Sequence, residues 1–290
     1  MSPAVAQPAS TVEACALLAA DPWGAKAIAG GTAVVLMMRQ GLISPDALVA
    51  LWQIPGLDTI TRNDGVLRIG ASTTLAAVAA SPLVRENAPS LAHACSVVGN
   101  PRIRNVATLG GNLAEADYAS DPPATLASLG ARCCVVGPAG ERLIPVRELI
   151  TGFYETALDH AELITHVEVP LPARGRRAAY VKYRSRSSED RPCVGVAARV
   201  DVAAGRITEL DVVVAAVAPT LQRVPAVLES AAGEALDRGL ADRVARAYAA
   251  AVEPLDDARG SAWYRRRMVG VFVRRALERL ASEQQGAERG

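Results

Sequence analysis

Two short glycine motifs constrain this chain more than any other feature. One is Ala107-Thr108-Leu109-Gly110-Gly111-Asn112; its earlier echo is Ala29-Gly30-Gly31-Thr32. Each pairs adjacent glycines with a threonine, between an apolar strand-like run and a segment with helical potential. Glycine lets the backbone turn at positive φ and lets a ligand approach bare N–H groups. A loop of this kind feeding a helix N-terminus favours an anion, because the first-turn amides lack partners and the dipole end is positive. Taken alone, each motif reads as a tight turn. Together they predict two jaws on one long phosphate-bearing ligand.

The chain has 290 residues, 50% of them hydrophobic, ample for a buried core and compatible with two domains. A net charge of +1 gives no global field for nucleic acid or an anionic membrane. The start Met1-Ser2-Pro3-Ala4 lacks a basic, then apolar, leader pattern, and no uncharged apolar run reaches spanning length. The chain therefore reads as soluble and cytoplasmic, with no membrane span. The five cysteines include no C-x-x-C, which argues against a disulfide framework and a cysteine-ligated metal. Cys133 and Cys134 lie in an apolar run and read as buried thiols. His93, His160 and His166 have no ligand spacing, so no metal site is expected.

In chain order, Thr11 to Ala20 reads as a helix capped by Thr11. Lys26 to Ala29 reads as a strand, followed by Gly30-Gly31-Thr32 and a helix from Ala33 to Arg39 capped by Thr32. Ala47 to Trp52 is the next strand. This nucleotide-binding layout lacks both G-x-G-x-x-G and the lysine of a P-loop, so a γ-phosphate site is not expected. Gly65 to Gly70 has P-loop glycine spacing but no lysine, and reads as a hairpin strand. Asn63-Asp64-Gly65 is the hairpin turn between Leu57–Ile60 and Val66–Ile69. Helices follow at Thr74–Ala80, Pro82 onward and Pro89–Val98, then another after Asp121 to Leu129. A second hairpin covers Arg132–Val136 and Arg142–Ile144, and Leu163–Val169 is a strand. Leu171 to Arg176 is the linker candidate. Three strands follow (Ala179–Tyr183, Val194–Val200, Ile207–Val217), then helices from about Ala226, Leu240 and Trp263. That order predicts a small antiparallel sheet with helices on one face. The arginines at 265–267 and 274–275 read as a solvated face, not a nucleic-acid site. The tail from Ser282 is expected to be disordered.

Four landmarks carry a resemblance: Ala-Gly-Gly-Thr at residue 29, Asn-Pro-Arg-Ile-Arg-Asn-Val-Ala-Thr-Leu-Gly-Gly-Asn from Asn100 to Asn112, Asp121 thirteen residues after Thr108, and Tyr180-Val181-Lys182-Tyr183-Arg184. Together they resemble the FAD-binding medium subunit of the molybdenum hydroxylases, the family of carbon monoxide and xanthine dehydrogenases. The resemblance covers nearly the whole chain. It implies an α+β fold: a two-part FAD-binding domain of the vanillyl-alcohol-oxidase (PCMH) type, then a small α+β C-terminal domain. The expected bounds are 1–173 (parts about 1–55 and 56–173), 177–282, and a tail at 283–290.

The resemblance also implies the site. Ile28, Ala29, Gly30, Gly31, Thr32, Ala33 and Val34 would wrap the FAD pyrophosphate from one side. Thr108, Leu109, Gly110, Gly111 and Asn112 would hold it from the other, through amides and the Thr and Asn side chains. Asp121 would meet sugar or ribityl hydroxyls, Ile164 would pack on the flavin, and Lys182 would lie near its pyrimidine edge. Val98 stands where some relatives place a flavin-stacking aromatic. FAD is expected to be non-covalent, with molybdenum cofactor in a large partner subunit and [2Fe-2S] clusters in a small one. A dimer of heterotrimers delivering electrons to an acceptor is the implied assembly. No catalytic acid or base is assigned. Two other readings stay open: a stand-alone FAD-dependent oxidoreductase of this fold, and a non-catalytic nucleotide-binding module. The first needs a proton donor beside the flavin within this chain; the sequence offers no convincing one.

Overall fold

The computed structural model describes residues 3–187 and 189–287. The first layer contains β1 (Ala4–Ala6), α1 (Thr11–Ala20), β2 (Ala25–Ile28), α2 (Val34–Arg39) and β3 (Ala47–Ala50). β1 and β2 both pair in parallel with β3, giving the order β1-β3-β2. β1 lies in the short proline-containing lead before α1, where no hydrophobic periodicity predicts a strand. α1 buries Ala14, Cys15 and Leu18 against Val49, Leu51, Ile54 and Leu57. Its cap is Ser10, whose side chain accepts from the Glu13 amide at 3.2 Å, one residue before the predicted Thr11.

The second layer begins with β4 (Ile60–Asn63) and β5 (Val66–Gly70). The first hairpin strand thus falls three residues later than the apolar pattern suggested. Asp64 and Gly65 both take positive φ (47° and 80°), the geometry that a two-residue hairpin turn requires. Five short helices follow: α3 (Leu75–Ala80), α4 (Pro82–Asn87), α5 (Pro89–Ser96), α6 (Pro101–Arg104) and α7 (Leu109–Glu115). Next come α8 (Pro122–Ser128), β6 (Arg132–Gly137), β7 (Gly140–Pro145), α9 (Val146–Leu149), β8 (Ile150–Gly152), β9 (Glu155–Thr156) and β10 (Leu163–Pro170). The sheet is antiparallel throughout, ordered β4-β5-β10-β6-β7, with a register shift between Ile164 and His166. Cys133 and Cys134 are both fully buried in β6, and all five cysteines are free.

The last layer has β11 (Arg176–Tyr183), β12 (Val194–Ala203) and β13 (Arg206–Ala215), then α10 (Pro225–Glu229), α11 (Arg238–Ala251) and α12 (Ala262–Ala287). The sheet is antiparallel, with β12 central. Side chains alternate between its faces. Tyr180, Ala197, Val213 and Ala215 join the core of the preceding layer, whereas Val196, Ala198, Val212 and Val214 pack under α11 and α12. Both faces are therefore covered, which explains the continuous apolar stretches Val194–Ala198 of β12 and Val212–Ala215 of β13. Arg199 Nε fastens this sheet to the carbonyl of Ser128 at 2.7 Å.

Two expectations for α12 need correction. Arg265 is fully buried, not on a solvated face: it bonds the carbonyls of Cys193 and Leu255 and the carboxylate of Asp257. The helix also continues past Ser282 to Ala287, and the expected tail beyond that point lies outside the described residues. Among the described residues no helix is long and apolar enough to cross a membrane.

Candidate flavin site

β2 and β3 run parallel and side by side, so the segments leaving their C-terminal ends share one crevice. In open parallel sheets that crevice is where ligands bind. From β2 emerges Ala29-Gly30-Gly31-Thr32-Ala33, and from β3 emerges Leu51-Trp52. Gly31 takes φ +70°. A Cβ on Gly30 would lie 1.9 Å from the carbonyl oxygen of Val106, so only glycine allows the two motifs this approach. No described acceptor takes the amides of Gly30, Gly31, Thr32, Ala33 or Val34. This run of bare donors is what a diphosphate needs. Thr32 does not cap α2: the cap position is Ala33, with no side-chain bond.

The second motif differs from its expected form in two ways. The residues before it are helical (α6), because Asn100 caps that turn through the Ile103 amide at 3.1 Å and Pro101 takes its first position. Its glycines lie inside the first turn of α7, not ahead of it. Thr108 is the cap and accepts from the Gly111 amide at 3.1 Å. The Leu109 amide donates to Thr73 O, Gly110 to Ala71 O and Asn112 to Thr108 O. The amides expected to grip phosphate are thus already committed. What the motif leaves available is the Thr108 hydroxyl hydrogen and the Asn112 amide nitrogen; Asn112 Oδ1 accepts from Ser120 at 2.8 Å.

The two motifs meet around a cavity of about 240 Å³ lined by Ala29, Gly30, Trp52, Ser72, Thr74, Asn105, Val106 and Thr108. Its floor is stapled by backbone bonds between residues 71–75 and 107–110, including Leu75 N to Ala107 O at 2.8 Å. Trp52, Ser72, Thr74 and Asn105 are not among the site residues assigned from sequence, although Asn105 belongs to the Asn100–Asn112 landmark. The position of Trp52 just beyond β3, beside a parallel neighbour ending in a glycine motif, was the signal that would have found it.

A second cluster gathers Asp121, Lys182 and Val98, which the sequence reading also assigned. Lys182 Nζ donates to Asp121 Oδ2 and to the Val97 carbonyl, each at 2.8 Å. The Tyr180 hydroxyl donates to Asp121 Oδ1 at 2.6 Å. Burial pushes the Asp121 carboxyl upward, and the Lys182 ammonium and the Tyr180 hydroxyl pull it back. Burial likewise holds the Tyr180 phenol well above its usual value. Arg104 fixes the adjoining turn by donating to the Val98 and Gly99 carbonyls at 2.9 and 3.1 Å. Ile164 is buried in the same core that Val98 packs against. Leu109 is fully buried and serves packing. Of the residues assigned from sequence, only Ala29, Gly30 and Thr108 line the cavity. Among the described residues no three His, Cys, Asp or Glu side chains are grouped to hold a metal.

The fold and the paired motifs define a dinucleotide-binding subunit, and comparison with known proteins gives its kind. Residues 2–172 match the FAD-binding domain in molybdopterin dehydrogenase, and residues 179–280 match the CO dehydrogenase flavoprotein C-terminal domain. The chain is 32% identical over 273 residues to the carbon monoxide dehydrogenase medium chain of Afipia carboxidovorans, covering 94% of each. It is 33% identical over 272 residues to the nicotine 6-hydroxylase medium subunit of Paenarthrobacter nicotinovorans, covering 94% of this chain and 95% of the relative. Among solved structures it resembles a carbon monoxide dehydrogenase from Hydrogenophaga pseudoflava lacking the Mo-pyranopterin moiety of its cofactor (TM-score 0.92, 32% identity, covering 96% and 98%). It also resembles the quinoline 2-oxidoreductase of Pseudomonas putida 86 (TM-score 0.91, 28% identity, 98% of both chains). The chain belongs to the family of FAD-binding medium subunits of molybdenum hydroxylases, and is an oxidoreductase flavoprotein subunit.

Proposed function

We propose that this subunit receives electrons from [2Fe-2S] clusters of a small partner and passes them through non-covalently held FAD to an acceptor. Substrate is hydroxylated at a molybdenum cofactor in a large partner, and the three chains assemble as a dimer of heterotrimers in the cytoplasm. The observation that carries this reading is the meeting of the two glycine motifs around one cavity beside five unengaged amides. When bound, FAD supplies the step between one-electron carriers and a two-electron acceptor. The chain itself supplies position and potential. Amides of Gly30 to Val34, with Ile28 and Ala29 leading in, hold the diphosphate from one side. The Thr108 hydroxyl and Asn112 amide meet it from the other, while Leu109, Gly110 and Gly111 shape the backbone beneath. Val98 and Ile164 give apolar contact to the flavin rings. Lys182 presents a cation near the flavin and favours its reduced, negatively charged form. Asp121 positions Lys182, and its remaining lone pairs are the ones available to a sugar hydroxyl.

The test is gentle purification of the tagged chain from its native host, reading the visible spectrum and the co-purifying chains together. The expected result is a flavin spectrum overlaid by iron–sulfur absorption, with one large and one small partner. A lone yellow chain that turns over substrate would replace this reading with a stand-alone flavoenzyme. A colourless chain that rejects added FAD would leave only nucleotide binding without redox function.

A further inference from the structure

We infer that Tyr180 is a positioning residue for electron transfer: its hydroxyl occupies one oxygen of the Asp121 carboxylate and so leaves the Lys182 ammonium free to act on the flavin. This rests on the flavoprotein reading above, including Lys182 beside the flavin. It goes further by naming the group that sets how strongly that lysine acts.

Three observations carry it. First, the contacts are divided between the two carboxylate oxygens. The Tyr180 hydroxyl donates to Asp121 Oδ1 at 2.6 Å, and Lys182 Nζ donates to Oδ2 at 2.8 Å. Lys182 spends a second N–H on the Val97 carbonyl, so one of its three donors remains. Second, packing does not explain the hydroxyl. Tyr180 is 1% exposed, in the core shared by the FAD-binding and C-terminal sheets. A phenylalanine would fill the same space with no buried polar group to satisfy. Asp121 is the one partner of this hydroxyl among the described residues. Burial, and after it the Asp121 charge, keeps the phenol protonated and hence a donor. Third, the neighbouring strand makes room for it. Gly195 of β12 pairs with Lys182 of β11, and a Cβ on Gly195 would lie 2.7 Å from the Tyr180 hydroxyl oxygen. Tyr180 and Lys182 are two apart on one strand and face the same side. The glycine therefore opens the space in which the phenol meets Asp121.

The hydroxyl acts on the flavin through charge. A carboxylate oxygen engaged by a strong donor is not available to the ammonium. Without the hydroxyl, Asp121 can turn both oxygens toward Lys182. The pair then cancels more of the ammonium's field at the place where the flavin takes up negative charge on reduction. Tyr180 thus works through Asp121 and Lys182.

The experiment uses the assembled flavoprotein and reads the flavin midpoint potential by spectroelectrochemical titration at neutral pH. Tyr180→Phe should shift the potential downward with flavin occupancy kept. Gly195→Ala retains the hydroxyl but displaces it, and should shift the potential the same way. In a Lys182→Met background, Tyr180→Phe should shift it little, because the charge it acts through is gone. An unchanged or raised potential in Tyr180→Phe, with only the thermal midpoint reduced, would overturn the assignment and leave the flavoprotein reading intact. An equal shift with and without Lys182 would also overturn it, since the hydroxyl would then act by another route. A wild-type potential in Lys182→Met alone would remove that lysine from the flavin, and the inference with it. Should Tyr180→Phe fail to assemble, Gly195→Ala alone and combined with Lys182→Met completes the same cycle.

Discussion

The Lys182 ammonium stands 2.8 Å from the Asp121 carboxylate, and each side chain is only 3% exposed. Lys182 comes from β11 of the C-terminal sheet, and Asp121 immediately precedes α8 of the FAD-binding layer. The pair, with Tyr180, therefore joins the part of the chain that carries the glycine motifs to the part that does not.

Breaking that pair from one side leaves a charge buried without its partner. Lys182→Met should cost about 3–5 kcal/mol of stability, and Asp121→Asn with Lys182→Met should recover part of that loss. Urea unfolding of the two single variants and the double variant measures the coupling. In the assembled flavoprotein, Lys182→Met should also lower the flavin reduction potential, read by spectroelectrochemical titration. A double-variant loss equal to the sum of the two single losses would show that the two charges do not depend on each other.

The adjacent glycines of the second motif should respond differently from one another. A Cβ on Gly110 would sit 2.5 Å from Ala71 Cβ and 2.9 Å from the Ala71 carbonyl oxygen. Gly110→Val therefore forces α7 off residues 71–75 and should destabilise the fold by more than the ~1–3 kcal/mol typical of overpacking. Gly111 is exposed, and its Cβ would meet only Thr108 Oγ1, at 2.8 Å. Gly111→Ala should keep the fold and weaken flavin binding. From sequence the two glycines look equivalent; the contact with Ala71 breaks that symmetry. Circular dichroism and flavin content, measured on both variants, separate the outcomes.

What could be read from sequence follows from the range of each interaction. Turns are local, so the Asn63-Asp64-Gly65 turn is legible, as are most strands, though not the short β1, β8 and β9. Thr32 failed as a cap because Gly31 at positive φ and the contact of Gly30 with Val106 set the loop, and neither is visible in a window of a few residues. Arg265 was misread for a similar reason. Three arginines in a row suggest a wet face, but the first turn of α12 points Arg265 at Asp257 and at two carbonyls that only the folded chain supplies. The motifs located the site; the partners of Asp121 and the amides spent beneath Leu109 and Gly110 depend on contacts between segments far apart in the chain.

Gly30 marks the closest approach of the two motifs, so adding one methyl group there tests their apposition. With a Cβ 1.9 Å from Val106 O, Gly30→Ala must push the loop away from the segment between α6 and α7. The expected result is a large drop in bound FAD per chain, with a stability loss of about 1–3 kcal/mol. Flavin-to-protein ratio after gel filtration, together with the thermal midpoint, measures both. Full flavin occupancy in Gly30→Ala would mean that the loops need not touch to hold the ligand.

Asp257 supplies a pH test, since it is the anchor for buried Arg265. Burial alone would raise its carboxyl, but bonds from Tyr118 (2.7 Å), Arg265 (2.7 Å) and Arg259 hold it well below the usual carboxylate range. Arg259 also bonds the Tyr118 hydroxyl, so the network ties the loop before α8 to the segment before α12. The folded value is depressed, so this contribution is complete above the unfolded aspartate value of about 3.9 and is lost as pH falls from there toward the folded value. The wild-type urea midpoint should therefore drop steeply between about pH 5 and pH 2. Asp257→Asn should be less stable at neutral pH, by about 3–5 kcal/mol if Arg265 is left uncompensated. Its midpoint should also fall less on acidification, because the carboxyl that loses its partners is already gone. Other carboxylates titrate in the same window, so the diagnostic quantity is the difference between the two curves. Parallel curves across that range would mean that Asp257 ionises alike in the folded and unfolded chains.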